Sequence, residues 1–356
     1  MSTDVVRFDY SELSDWARTC LTEAGASGEV ARNVSYYLLE GDLLGFSTHG
    51  LIRLLNNCQW LRDGKSLAKG QPVVLSERAA AANWDAQFLP GPYVVPQAID
   101  AACKMAQQAG TGTVVVRRSQ HVASLAAYLT IATEQGLVVS LMCSTPGQRA
   151  VAPFGGKEAV FSPNPFAVGV PSSGNPLLFD ISFSMTAAGK VRQAKANGTK
   201  LPYKALIKPD GEWTDDPLTF FDSPGSAIAP LGGEQLGYKG YGLTLFSEIW
   251  SMALSQYGRR QGADDGDANS VWIQVIDPEA FGDKQAFLQQ VDDLLEDSRK
   301  SAAADPQQPV RIPGEAAQQR KREQLQQGVY YSRATLKVLQ RCAEFCGVEL
   351  PKAVSG

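Results

Sequence analysis

Apolar residues recur at helical spacing over the first sixty positions. Leu13, Trp16, Ala17, Cys20 and Leu21 mark one face of a first helix, with Ser11 as its candidate N-cap. A second stripe, Val30, Val34, Tyr37 and Leu38, follows Gly28 and runs to about Gly45. A third begins near Gly50 with Leu51, Leu54, Leu55 and Cys58. The break between them, "FSTHG", is therefore a corner between helices. Arg53 lies one helical turn beyond His49, so both side chains can point to one side.

The pattern then shifts to short apolar runs. "PVVL" and "AAANWDA" predict strands, and "PYVVPQAIDAACKMAQQAG" predicts a helix entered through prolines and left at Gly110. "TGTVVVRRS" is a buried strand, "LAAYLTIATEQG" a helix and "LVVSLMC" a strand, which together make a βαβ-like unit. His121 falls just past the carboxyl end of its first strand, where sites gather in α/β proteins. Residues 144–184 are rich in Gly, Pro, Ser and Asn, as in loops whose backbone approaches a ligand. "PLLFDISFS" is a strand carrying Asp180, Ser182 and Ser184. Further helices are predicted over "AAGKVRQAKANG", from Gly240 through Trp250, over "KQAFLQQVDDLLEDSRK" and again after "VRIPGE", with a strand at "SVWIQVI".

Charge and cysteine usage narrow the classes. The 356 residues carry 33 basic and 37 acidic side chains, a net charge of −4, which argues against a nucleic-acid or anionic-membrane partner. The basic knot Arg320–Arg322 lies in a Gln-rich helix and is expected to be a solvated face. No apolar run has the length of a membrane span, and the first residues carry acids where a signal peptide would be positive, so the cytoplasm is the expected location. The six cysteines, at 20, 58, 103, 143, 342 and 346, show no C-x-x-C spacing. Neither a disulfide framework nor a zinc site is expected, and Cys342 and Cys346 are expected to pack on one helix face.

Few known motifs fit. No G-x-G-x-x-G links a strand to a helix, and no P-loop is present. The G-x-S-x-G pattern fails at its last position, His49. "DDGDANSVWIQVI" lacks the glycine and glutamate of a calcium loop and is expected to be a solvated acidic turn. Lys239, between glycines at an expected helix start, suits a phosphate or carboxamide contact. The chain has two histidines, His49 and His121, and each sits in a small-residue break between apolar segments.

Taken together, six segments resemble the malate/L-lactate dehydrogenase family of non-Rossmann type, nearly end to end. They are Thr48-His49-Gly50-Leu51-Ile52-Arg53, Gln120-His121-Val122, "PFGGKEAVFSPNP" ending at Asn164-Pro165, Asp180-Ile181-Ser182-Phe183-Ser184, Leu236-Gly237-Tyr238-Lys239-Gly240, and Arg311–Glu315. Thr48, Val122, the "ISFS" segment and Tyr238 depart from the family's pattern, and Phe183 replaces a small residue near the expected cofactor.

The resemblance implies an α/β fold: a mixed sheet layered with helices that binds NADH or NADPH without a Rossmann domain, plus a helical unit from both chain ends. The expected division is 1–122 with 309–356, for substrate binding and dimerisation, and 123–308 for the cofactor. It implies a homodimeric oxidoreductase that reduces a small 2-oxo acid or cyclic imino acid, or oxidises the 2-hydroxy acid. The alternative is a catalytically degenerate cofactor-binding dimer. His121 is the first choice for proton donor, with His49 as orienting group or alternative acid. Arg53, with Thr48, is expected to hold the substrate carboxylate through its planar fork. Ser144, Asn164, Asp180, Ser182, Ser184, Lys239, Arg311 and Gly314 are expected to meet the cofactor, and no metal is expected.

Overall fold

The computed structural model describes residues 5–354. The chain opens with strand β1 (Val5–Phe8) and helices α1 (Tyr10–Glu23), α2 (Gly28–Leu44) and α3 (Leu54–Arg62). Strands β2 (Val73–Arg78) and β3 (Ala81–Asp85), helix α4 (Gly91–Ala109) and strand β4 (Thr111–Ser119) follow. Then come α5 (Thr130–Thr133), β5 (Val138–Ser144), β6 (Pro165–Val170), β7 (Leu177–Ser182) and α6 (Ala188–Ala196). Three two-residue strands, β8 (Leu206–Ile207), β9 (Trp213–Thr214) and β10 (Ala227–Ile228), precede α7 (Gly233–Glu248), β11 (Asn269–Ile276), α8 (Lys284–Lys300), α9 (Glu315–Gln327), β12 (Val329–Ser332) and α10 (Arg333–Cys346).

The helical periodicity of the first sixty residues folds as expected, with one change at its start. Asp9, not Ser11, caps α1, because its carboxylate reaches the N–H groups of Ser11 (2.8 Å) and Glu12 (3.1 Å). Ser27 caps α2, and Gly45 ends it at φ 92°, a left-handed conformation that suits glycine.

Seven strands form one mixed sheet in the order β2-β3-β4-β11-β5-β6-β7, in which only β3 and β4 pair in parallel. The expected βαβ unit is thus opened: β11 inserts antiparallel between β4 and β5. Alternation along the strands divides the core. Val114, Val116, Leu141 and Ile273 join the main core with α4 and the N-terminal helices. Val115, Met142 and Trp272 face the opposite way, under Phe246 of α7. Each such side chain contributes about 1.5–3 kcal/mol by leaving water. The sheet runs through residues on both sides of position 123.

Six strands, β1, β6, β8, β9, β10 and β12, lay outside the expectation. β6 comes from the Gly/Pro-rich stretch, where Asn164 (φ 50°) turns the chain before Pro165 opens the strand. β12 pairs with β1 and brings α9 and α10 back to the N-terminal helices, so the chain ends build one helical cover. The expected helix after His121 is instead a 3-10 turn, Leu125–Tyr128, followed by the single turn α5. The basic knot is solvated only in part: Arg322 is exposed, while its two neighbours reach inward. Arg320 donates to the Leu44 carbonyl (3.3 Å), and Lys321 pairs with the buried Glu40.

Candidate active site

The corner that carries His49 is shaped by a carboxylate beneath it. Asp42 lies in the buried face of α2, accepting from the Leu51 N–H (2.8 Å) and the Tyr331 hydroxyl (2.7 Å). A Cβ on Gly50 would come within 1.9 Å of its Oδ1, so only glycine lets the backbone pass here. Burial without a cationic partner pushes the Asp42 carboxyl up to about 7 against these two hydrogen bonds. Neither Asp42 nor Tyr331 stood out in the sequence. The available signal was an acid interrupting the apolar stripe Leu38, Leu39 and Leu43.

His121 is placed by a tight turn after β4. Ala123 adopts φ 59°, costly for a residue with a Cβ, and its N–H points back to His121 Nδ1 at 3.0 Å. Asn269 of β11 accepts from the Val122 N–H (2.9 Å), and the Tyr128 hydroxyl donates to the Val122 carbonyl (2.6 Å). Asp180, expected at the cofactor, holds this turn from β7: its carboxylate accepts from the Ala126 N–H (3.0 Å) and the Ser124 hydroxyl (3.4 Å). Burial raises the Asp180 carboxyl to about 6, opposed by those bonds.

The two imidazoles meet. Their ring centroids are 5.6 Å apart and their planes 20° from parallel. Burial, then the nearby Arg53 guanidinium, lowers His49 to about 4. Burial, Arg53 and His49, in that order, hold His121 well below the ordinary histidine range. Both rings are therefore neutral near pH 7. Their hydrogen bonds differ, however. His121 Nδ1 accepts a backbone N–H, so its proton sits on Nε2 and a second proton would break the Ala123 bond. His49 Nδ1 lies 2.8 Å from the Thr48 hydroxyl, which can donate or accept, so His49 can gain and lose a proton without losing its partner.

Arg53 completes the group. Its Nε donates to the Thr48 carbonyl (3.1 Å), and Nη1 stands 3.8 Å from Asp267, a distant pairing. Asp267 belongs to the acidic turn expected to be merely solvated. Arg192 of α6 adds a second positive charge near Arg53, and Gly189 on the same helix packs against Thr48, where a Cβ would lie 3.2 Å away.

The residues expected at the cofactor separate into two sets. Ser144 is fully buried with its hydroxyl 3.4 Å from that of Ser247. Asn164 is also fully buried, accepting from Ser162 and donating to Glu248 (2.9 Å), which in turn pairs with Arg259. These two side chains brace loops. Of the others, Ser182 ends the edge strand β7, Ser184 follows it, and Gly314 packs against it. The Ser184 hydroxyl meets that of Ser182 (3.1 Å), and residues 184 and 230 bridge β7 to the start of α7. Gly314 (φ 93°) sits so close to β7 that a Cβ would be 2.4 Å from the Leu178 carbonyl. Lys239 and Arg311 are exposed. Lys239 is not at a helix start: α7 begins at Gly233, because Gly237 and Gly240 serve close packing on Phe154, Pro230 and Leu231 and do not stop the helix. Phe183 is buried and stacks on Phe166 (5.6 Å), so it points inward and leaves the edge clear. A glycine-cleared edge with hydroxyls and two exposed cations fits a nicotinamide nucleotide with its phosphates.

Comparison with known proteins agrees with this arrangement. The family model for malate/L-lactate dehydrogenase matches residues 8–340. The chain is 29% identical over 353 residues to a malate dehydrogenase of Pyrococcus horikoshii, covering 97% of this chain and 96% of that protein. It is 29% identical over 346 residues to a Δ1-pyrroline-2-carboxylate reductase of Ancylobacter novellus, covering 94% and 97%. The solved structure of malate dehydrogenase from Pyrococcus horikoshii superposes with a TM-score of 0.87 at 26% identity, covering 98% of this chain and 97% of that one. These relatives are dehydrogenases and a reductase, so the oxidoreductase reading holds over that of a degenerate binder. The chain belongs to the malate/L-lactate dehydrogenase family, whose dehydrogenases use nicotinamide cofactors.

Proposed function

We propose that the protein interconverts a small 2-oxo acid and its 2-hydroxy acid, or reduces a cyclic imino acid, with NADH or NADPH, as a homodimer in the cytoplasm. The observation that carries this reading is two stacked, neutral imidazoles facing a half-buried guanidinium in one corner. Arg53 receives the substrate carboxylate. His121 Nε2–H donates to the substrate oxygen or nitrogen and orients it. His49 moves the proton: neutral, it takes one from a hydroxyl; protonated, it returns one to the reduced product. A bound nicotinamide supplies or accepts the hydride. Ser182, Ser184, Lys239 and Arg311 hold it. No helix among the described residues is long and apolar enough to cross a membrane. Leu236, Tyr238, Leu243, Ile249 and Leu254 are exposed along α7 and its π-helical extension, apolar surface suited to a second copy.

A panel of 2-oxo acids, 2-hydroxy acids and cyclic imino acids, assayed with each nucleotide by nicotinamide absorbance, tests the reading. Turnover of none of them overturns it. Arg53→Lys keeps the charge and loses the fork, so KM for the acid substrate should rise while nucleotide affinity holds. An unchanged KM removes Arg53 from the substrate site. Lys239→Ala should weaken nucleotide binding by about 1–3 kcal/mol, read by fluorescence titration, as expected for a lost charge-assisted hydrogen bond. Equal affinity in variant and wild type places the phosphates elsewhere.

A further inference from the structure

Four of the six cysteines converge far from one another in sequence. Cys20 of α1, Cys58 of α3, and Cys342 and Cys346 of α10 are all buried. The sulfurs of Cys20, Cys342 and Cys346 lie within 4.8 Å of one another. Cys58 of α3 lies beside Cys342 and Cys346, where α3 packs on α10. We propose that these four thiols form a tetrahedral site for a single zinc ion, which clamps α1, α3 and α10 together.

The contact pattern separates this reading from its rivals. A disulfide joins sulfurs two by two, whereas here three sulfurs from two helices all lie within 4.8 Å of one another. Four sulfurs around one zinc at about 2.3 Å stand about 3.8 Å apart. The spacing observed for three of them is close enough to tighten around an ion. The cluster offers sulfur alone, the donor set of a structural tetrahedral zinc site. Cys342 and Cys346, one turn apart, present two ligands from one helix, and α1 and α3 supply one each. Arg62 of α3 is anchored beside α10 by its bond to the Phe345 carbonyl (2.7 Å) and by stacking on the Phe345 ring (4.2 Å). It supplies a cation beside a site whose four thiolates would carry two negative charges in excess of zinc. Cys103 and Cys143 lie elsewhere, buried in α4 and β5, and burial is the leading cause raising each.

Spacing along the chain hid this site, since no C-x-x-C appears. Its place also bears on the active corner, because α3 follows directly on Arg53.

The test uses the intact purified protein. Elemental analysis should find about one zinc per chain, released in step with titration of the thiols by a mercurial. Growth with cobalt in place of zinc should give the thiolate-to-cobalt charge-transfer band and the visible bands of a tetrahedral sulfur site. Cys58→Ser should lose the bound zinc, and Cys103→Ser should keep it. Wild-type protein without stoichiometric zinc, or with two disulfides by mass spectrometry, or with iron in its place, overturns the proposal. So does retention of zinc by Cys58→Ser. Should that variant fail to fold, the wild-type metal content and the cobalt spectrum still decide.

Discussion

Replacing His49 with Gln is expected to lower kcat by about 10²–10⁴-fold, the usual worth of a general acid or base, with nucleotide affinity unchanged. Because His49 stands at about 4 in the free enzyme, kcat/KM for oxidation should rise with pH through that region and level above it. For reduction the protonated ring is needed, so kcat should fall as pH rises. Its midpoint should lie above 4, because a bound carboxylate favours the imidazolium. The folding linkage has the matching sign. A histidine whose folded value is depressed below about 6.5 stabilises the fold above that pH, and the contribution is lost as pH falls through about 4. His121→Gln should lower kcat by about 10²–10³-fold, as for loss of a donor to a developing oxyanion, yet keep the pH dependence. If His121→Gln abolishes that dependence while His49→Gln retains it, the roles are reversed. Position along the chain favoured His121 as the proton donor. The Ala123 N–H on its Nδ1 is the ground on which His49 is proposed instead.

The second large effect concerns the packing under the corner. Gly50→Ala should cost about 1–3 kcal/mol of stability and misplace His49, because the new Cβ enters the volume of the Asp42 carboxylate. Asp42→Ala alone leaves the buried Leu51 N–H and Tyr331 hydroxyl without their acceptor, about 1–3 kcal/mol each. The double variant should cost clearly less than the sum, since removing the carboxylate makes the space the methyl needs. Additive costs in denaturant unfolding would show that the two positions do not compete for space. The same carboxyl gives a pH signature. Its folded value of about 7 lies above an unfolded value of about 3.9, so its stabilisation is full below the latter and lost as pH rises through the former. Asp42→Asn keeps an acceptor and cannot ionise. The stability difference should therefore move in its favour between those two values.

Much of the fold was legible because its signals are local. Helical spacing located α2 and α4 with their glycine ends, and short apolar runs located β4, β5 and β11. Segments without such a signal were harder. β6 hides in a Gly/Pro-rich run and depends on pairing with β5 and β7. The turn after His121 is stopped from becoming a helix by a carboxylate on β7 and a hydroxyl bond back to Val122.

The candidate site divides along the same line. Residue type and spacing were enough to single out His49, Arg53, His121 and Lys239, because proton transfer and anion binding need particular side chains wherever they occur. Spacing also put His49 and Arg53 on one side of one corner. Only the tertiary structure decided that the two imidazoles stack, that Asp180 supports a turn, and that Ser144 and Asn164 face inward. It alone set Tyr331 against Asp42 across 289 positions and drew Cys20 and Cys58 to Cys342 and Cys346. The reason is physical. Periodicity records which face of a segment leaves water, whereas hydrogen bonds and thiol contacts act over a few ångströms between groups that only folding brings together.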